Sequence, residues 1–204
     1  MNEMIDLGFA EAHLPAGTHI CQIYNDDDER NDSLLRFLQK GLELQERAAC
    51  FTDGVSEELI DEFLNSHAIS LEEMKANRAF SHEGTSEVYY KDNRFDPERM
   101  IELLTDFYQT AEELGFSGAR VIGEMTPEIG HISGGERLLE YESMVSMLLR
   151  DHPITTICQY NAHSFDGATI MDVLKVHPMM VVRGTVVHNP FFIPPEEFLS
   201  AKKE

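Results

Sequence analysis

Short apolar runs alternate with segments of helical periodicity along most of the chain. Such runs, bounded by polar turns, are typical of buried strands. Five of them predict strands at His19–Tyr24, Arg47–Thr52, Ala79–His82, Ala119–Met125 and Ile154–Tyr160. Shorter runs predict one further strand at Val88–Tyr90 and a hairpin formed by Met179–Val182 and Thr185–His188.

The segments between these runs carry helix signals. A capping side chain before apolar residues at helical spacing marks a helix start, and this pattern occurs at Ser56, at Ser70 with Glu73, at Asp96 with Pro97, and at Ser133 with Glu136. Gly115 is a stop signal for the helix that starts at Asp96. Two further helices are predicted by the spacing of Leu34, Leu35, Leu38 and Leu42, and by the segment Ala168–Leu174.

This alternation predicts an α/β fold. We expect a three-layer sandwich around a mostly parallel central sheet, closed by the C-terminal hairpin. No internal repeat or Pro/Gly-rich linker divides the sequence, so a single domain spanning residues 1–204 is expected.

Composition narrows the class of protein. With 16 Lys and Arg against 37 Asp and Glu, the net charge of −21 argues against direct binding to a nucleic-acid backbone. No long apolar run and no basic N-terminal segment is present, so we expect a cytoplasmic protein outside the membrane. Cys21, Cys50 and Cys158 lie in apolar runs, which favours reduced thiols over a disulfide framework.

The turn after the first strand does not have the composition of a phosphate-binding loop. Such a loop exposes backbone N–H groups through glycine and supplies a lysine. The stretch 25–32 contains neither residue, and five of its eight side chains are acidic. ATP binding is therefore not expected. An EF-hand would require Gly and Glu where Asn31 and Phe37 stand, so the stretch is best explained as an acidic helix start.

The familiar catalytic and metal motifs are also missing from the sequence. It has no G-x-S-x-G elbow, no H-E-x-x-H and no C-x-x-C. We therefore expect neither an enzyme nor a metal cofactor.

Two segments echo each other, Cys21-Gln22-Ile23-Tyr24-Asn25 and Cys158-Gln159-Tyr160-Asn161. Ligands of open parallel sheets bind at the carboxyl ends of the strands. Tyr24 and Tyr160 are predicted at such ends, and Glu124 near the end of a third strand. The alternative, left open by the sequence, is that the cysteines fill the core and the tyrosines only cap strand ends.

Five motifs together resemble the MEDS domain, a sensory domain of methanogen and methylotroph regulators. The resemblance covers a core of about residues 17–199 and rests on His19-Ile20-Cys21-x-x-Tyr24-x-Asp26, Arg120-Val121-x-Gly123-Glu124-Met125, Cys158-Gln159-Tyr160, His177-Pro178, and Asn189-Pro190-Phe191-Phe192-x-Pro194-Pro195-Glu196-x-Phe198-Leu199. It implies a RecA/KaiC-like fold that has lost its P-loop, and a sensor of small molecules such as hydrocarbon derivatives.

The resemblance also carries implications for neighbours and partners. The strand Ile154–Tyr160 should lie beside His19–Tyr24, with Glu124 one strand further on. MEDS domains occur fused to DNA-binding or kinase modules; this sequence shows neither, so we expect its signal to pass to a partner protein. The sequence leaves open whether a homodimer forms.

Three hypotheses follow. The leading one is a non-enzymatic sensory module that binds a small, largely apolar effector at the strand ends; its predicted site consists of Tyr24, Glu124, Tyr160, Cys21, Cys158, His163 and His177. The second is a thiol- or metal-responsive sensor built on Cys21 and Cys158, which requires at least one sulfur to be partly exposed. The third is a ligand-free docking scaffold derived from an ATPase fold, which predicts no ligand-sized cavity near the tyrosines.

Overall fold

A seven-stranded sheet forms the centre of the computed structural model, which describes residues 4–201. The outermost residues of the predicted domain, 1–3 and 202–204, lie outside this range. The strands are β1 Met4–Asp6, β2 His13–Pro15, β3 His19–Tyr24, β4 Arg47–Phe51, β5 Phe80–Glu83, β6 Ala119–Met125, β7 Ile154–Asn161, β8 Met179–Val182 and β9 Thr185–His188.

The sheet order is β5-β4-β6-β7-β3-β8-β9, and only the β8–β9 pair is antiparallel. The mostly parallel sheet and the closing hairpin are therefore confirmed. A separate small antiparallel hairpin, β1–β2, was not predicted from the sequence.

Helices cover both faces of the sheet. They are α1 Asp27–Glu43, α2 Glu57–Ser66, α3 Leu71–Ala76, α4 Thr85–Tyr89, α5 Pro97–Glu113, α6 Leu138–Asp151, α7 Gly167–Val176 and α8 Pro195–Ala201. One hydrophobic core joins the sheet to α1, α2 and α3, and a second joins its other face to α4, α5, α6 and α7. This arrangement is the predicted three-layer sandwich.

The predicted caps are present at three helices. Ser56, Ser70 and Asp96 each accept a hydrogen bond from the backbone N–H three residues further on. The helix start predicted at Ser133 was wrong. The carbonyl of Ser133 accepts a hydrogen bond from the N–H of Phe95. The chain then makes a short 3₁₀ turn at Gly135–Arg137, and α6 begins only at Leu138.

One other local prediction was wrong. Val88–Tyr90 is not a strand: Val88 and Tyr89 form the end of the short helix α4, because a brief apolar run fits either period. The acidic helix start predicted for the stretch 25–32 is confirmed. The Asp26 carboxylate caps α1, and the first turn of this helix carries Asp27, Asp28 and Glu29.

Strand register confirms the neighbours implied by the family resemblance. Cys21 on β3 lies opposite Cys158 on β7, and Glu124 on β6 lies opposite Gln159 on the other side of β7. No helix within residues 4–201 is long and apolar enough to span a membrane.

A buried ion pair fastens the N-terminal hairpin to the sheet. Arg120 on β6 is fully buried, and its guanidinium donates to the carboxylate of Glu46. It also donates to the carbonyl oxygen of Phe37 at 2.8 Å and to that of Asp6 at 3.4 Å. One side chain thus connects β6, α1, the α1–β4 turn and β1.

Candidate functional site

Glu124 holds together the carboxyl ends of three strands on the α1 face. Its carboxylate accepts from Tyr24 Oη at 2.7 Å, from Thr52 Oγ1 at 2.5 Å and from the backbone N–H of Gly54 at 3.2 Å. The nearly buried Arg30 adds a contact of 3.5 Å. Burial, followed by the hydrogen bond to Glu124, raises the pKa of Tyr24 far above its usual value. With so many internal partners, Tyr24 and Glu124 tie strand ends together.

The position of a phosphate loop is occupied by the protein's own carboxylates. Between β3 and α1 there are only Asn25 and Asp26, and Asp26 accepts the N–H of Glu29 at 2.9 Å. Asp27 and Asp28 extend the negative charge into the first turn of α1. A helix start that is already capped by a carboxylate and surrounded by others repels a further anion.

Tyr160 does not share a site with Tyr24, so these two predicted residues are separated. Side chains alternate across a strand, and Cys21 and Tyr24 are three residues apart, whereas Cys158 and Tyr160 are two apart. Tyr24 consequently faces α1, while Tyr160 lies with Cys21 and Cys158 in the core on the α6 face. The two echoed sequence segments are not structurally equivalent.

On the α6 face, Tyr160 contacts a buried cluster of four side chains, those of His19, Glu142, Cys158 and His177. Its hydroxyl donates to Glu142 Oε1, and the other carboxylate oxygen faces three further side chains. Glu142 Oε2 lies 3.3 Å from His19 Nε2, 3.5 Å from His177 Nε2 and 3.5 Å from Cys158 Sγ. His19 Nε2 is also 3.4 Å from Cys158 Sγ. All four residues are buried.

Neighbouring groups set the orientation of both imidazole rings. His177 Nδ1 lies 2.9 Å from the carbonyl oxygen of Val173, to which only an N–H can donate. His19 Nδ1 lies 2.8 Å from Ser146 Oγ, whose hydroxyl faces the carbonyl of Val176 at 3.4 Å. In both rings Nδ1 is thereby turned towards a neighbouring oxygen, and Nε2 is turned towards Glu142.

Electrostatics keep the cluster from acting as a thiol nucleophile. Burial and the proximity of His177 lower the pKa of His19 to about 4, against a smaller opposing effect of Glu142. Burial alone would raise the pKa of Glu142, but its contacts with His177 and His19 lower it. Burial, with Glu142 adding to it, raises the pKa of the thiols of Cys21 and Cys158. A reactive cysteine requires the opposite shift and some exposure.

A surface cleft of about 400 Å³ lies at the carboxyl ends of β6 and β7. Its apolar wall includes Ile129, Leu138, Leu139 and Phe165. Its polar groups include His131, Glu136, Asp166, Thr169 and Asp172. Phe165 packs against Tyr160 with ring centroids 5.5 Å apart. Only the ring of Phe165 therefore separates the cleft from Tyr160, whose hydroxyl donates to Glu142.

The predicted site residues are thus distributed over four places. Tyr24 and Glu124 belong to the network at the strand ends. Cys158 and His177 belong to the buried cluster, and Tyr160 lies next to it as the hydroxyl donor to Glu142. Cys21 is a core residue beside that cluster. His163 is exposed in the turn after β7, where its backbone N–H donates to Asn161 Oδ1, and it does not line the cleft.

Sequence reasoning missed the central member of the cluster, Glu142. A signal was present: α6 buries Leu138, Tyr141, Val145 and Leu149. Glu142 falls within this apolar stripe, where a carboxylate is buried only with partners. The cleft residues gave no comparable signal, because they come from α6, from α7 and from the turns that precede these helices, whose approach depends on the tertiary fold.

Comparison with known structures agrees on the fold. The KaiC-like protein PH0186 from the archaeon Pyrococcus horikoshii OT3 has a TM-score of 0.59 and 14% sequence identity, covering 88% of this chain and 80% of that one. The flagellar accessory protein FlaH from Methanocaldococcus jannaschii has a TM-score of 0.64 and 12% identity, covering 87% and 78%. None of the curated proteins compared with the chain matches it.

Comparison with family models gives a match over most of the chain. Residues 18–178 match the model described as the methanogen/methylotroph, DcmR sensory domain, MEDS. This range includes the strand-end network, the cleft and all four residues of the buried cluster. The chain therefore belongs to the MEDS family of sensory domains.

Proposed function

We propose that this chain is a non-enzymatic sensory module whose effector, a small and largely apolar molecule, binds in the cleft at the carboxyl ends of β6 and β7 and changes the affinity for a partner protein. The observation that carries this proposal is the cleft itself. It combines a hydrophobic wall with a few polar groups at the edge where open α/β sheets bind ligands.

The dimensions of the cleft suit a small effector. Its volume of about 400 Å³ is near the lower end of typical ligand pockets, which begin at about 300 Å³. The side chains of Leu138, Leu139 and Phe165 offer apolar contact, while Thr169 and the nearby carboxylates offer hydrogen bonds. A short hydrocarbon derivative with one polar group matches this lining.

A path for the signal leads inward from the cleft. An effector packed on Phe165 would displace this ring against the ring of Tyr160. The Tyr160 hydroxyl donates to Glu142 on α6, so the displacement would reach that helix. Binding shifts the conformational equilibrium only if the effector has different affinities for the two states. A partner protein bound to a polar surface of α6 or α7 would then respond to this conformational change.

The non-enzymatic assignment rests on the turn between β3 and α1. Asp26 and its acidic neighbours occupy the position where an ATPase of this fold binds phosphate. We expect the purified chain to show no ATP hydrolysis above a no-protein control.

Two alternatives are less well supported. A thiol sensor requires an exposed sulfur, yet Cys21 and Cys158 are both buried. A ligand-free scaffold predicts no ligand-sized cavity near the tyrosines, whereas the cleft is separated from Tyr160 only by Phe165. Homodimer formation, the partner and the effector's identity stay predictions.

Solution NMR tests where the effector binds. Short-chain alcohols, amines and haloalkanes are each titrated into ¹⁵N-labelled protein. We expect at least one compound to give saturable shifts at backbone amides around Phe165 and Leu139. Phe165→Ala should weaken that compound's affinity about ten-fold, since losing a buried aromatic contact costs roughly 1.5 kcal/mol or more.

Phe192→Ala is the matched control. Phe192 is a half-buried ring that lines a different groove, at the amino ends of β3 and β8. Its replacement should leave the affinity unchanged. Equal weakening by both variants, or no saturable shift around the cleft with any compound, would overturn the proposal.

A further inference from the structure

We propose that the buried cluster on the α6 face is a tetrahedral site for a divalent ion of the zinc type, with four protein ligands: His19, Glu142, Cys158 and His177. This inference is independent of the proposed effector cleft. It departs from the expectation that the chain carries no metal, and from the hypothesis that pairs Cys158 with Cys21.

The distances between the donor atoms match the edges of a coordination tetrahedron. Zinc bonds of about 2.0–2.3 Å to nitrogen, oxygen and sulfur, at tetrahedral angles, place ligand atoms about 3.3–3.7 Å apart. Four separations among the donors are 3.3, 3.4, 3.5 and 3.5 Å. All donor atoms lie within 4.8 Å of one another, so an ion fits with small adjustments.

The donors are also oriented as metal ligands. A metal-bound imidazole typically gives its other N–H to a carbonyl or hydroxyl oxygen, as His177 does to Val173 and His19 to Ser146. His177 Nε2 is buried and makes no hydrogen bond within the described part of the chain. Glu142 uses Oε1 for Tyr160 and leaves Oε2 facing the other donors.

A divalent ion would match the charge of this cluster. The Nε2 atoms of His19 and His177 and the sulfur of Cys158 converge on one carboxylate oxygen in a buried site. Two neutral imidazoles, one carboxylate and one thiolate together carry two negative charges, which a zinc-type ion neutralises. Burial of the complete set therefore leaves no net charge, and binding releases the thiol proton of Cys158.

The site has a route to solvent. His19 and Ser146 line the groove of about 360 Å³ at the amino ends of β3 and β8. An ion entering there would reach the imidazole of His19 first. Once bound, it would connect β3, α6, β7 and the end of α7. Four protein ligands leave no open coordination position, as in structural zinc sites.

Cobalt spectroscopy of the 204-residue chain tests the site. The protein is first stripped with a chelator and then titrated with Co²⁺ in the absence of other metals. We expect binding of one ion per chain, the intense visible bands of tetrahedral Co²⁺, a thiolate-to-cobalt charge-transfer band and displacement by Zn²⁺. Zinc should also raise the Tm of the stripped protein.

Matched variants identify the ligands. Cys158→Ser should abolish the charge-transfer band and weaken Co²⁺ binding by more than about ten-fold, since loss of even an outer-shell partner costs 10–100-fold. Cys21→Ser should leave the spectrum unchanged, because Cys21 is equally buried and lies opposite Cys158 but is not one of the four donors.

Glu142→Gln guards against a failure to fold. Its amide can still accept from Tyr160 and can donate to an Nε2 lone pair, so the chain should stay folded while losing tight Co²⁺ binding. The proposal is overturned if stripped wild-type protein gives no tetrahedral Co²⁺ spectrum. It is also overturned if Cys21→Ser removes the charge-transfer band, or if Cys158→Ser or folded Glu142→Gln binds Co²⁺ like the wild type. None of these outcomes bears on effector binding in the cleft.

Discussion

Glu46→Ala is expected to lower the free energy of unfolding by about 3–5 kcal/mol, the usual cost of leaving one member of a buried ion pair without its partner. Arg120 is fully buried, and Glu46 supplies the only carboxylate to which it donates among the described residues. Its remaining acceptors, the carbonyls of Phe37 and Asp6, carry no net charge. Urea denaturation followed by circular dichroism measures the difference.

Two controls separate the ion pair from a general effect of mutation. Glu43→Ala removes an exposed partner of Lys40 and should change stability by less than about 0.5 kcal/mol. The double variant Glu46→Leu with Arg120→Met removes both charges and should recover most of the loss. A Glu46→Ala protein as stable as wild type would show that Arg120 is not held by this contact.

Glu124→Ala is expected to cost about 2–4 kcal/mol of stability, because it removes a charge-assisted hydrogen-bond acceptor from three strand ends. Tyr24, Thr52 and Gly54 each lose their bond to this carboxylate. Arg30 keeps Asp27 and the Gly54 carbonyl, which limits the loss. The same urea experiment provides the measurement.

The control for this variant is Glu128→Ala, which replaces an exposed glutamate in the turn just after β6 and should change stability by less than about 0.5 kcal/mol. Glu124→Ala should also leave the affinity of the cleft for its effector unchanged at temperatures where the protein is folded. A variant of wild-type stability that loses effector binding would instead place Glu124 in a ligand site.

Much of the architecture follows from local pattern. The strands β3, β6, β8 and β9 occupy the predicted residues without any shift, because each is a short apolar run bounded by turn residues. The side chains of Ser56, Ser70 and Asp96 each cap a helix by bonding an N–H only three residues further on, so these caps could also be predicted from the local sequence. The hairpin β1–β2 was missed because its three-residue strands are too short to show a period.

The candidate sites depend on long-range geometry, which a linear pattern does not specify. Grouping Tyr24 with Tyr160 ignored the alternation of side chains along a strand, although that parity could have been read from the sequence. The cluster around Glu142 joins residues from four separate segments of the chain, so no sequence motif of fixed spacing indicates it. Its one local sign was a carboxylate in the apolar stripe of α6.

Binding of the effector beside Phe165 is tested most directly by a crystal structure of this MEDS domain soaked with the compound that binds most tightly in the NMR titrations. We expect to find this compound in the cleft, against Phe165, Leu138 and Leu139. The compound bound instead beside Tyr24 and Glu124, at the turn before α1, would contradict it.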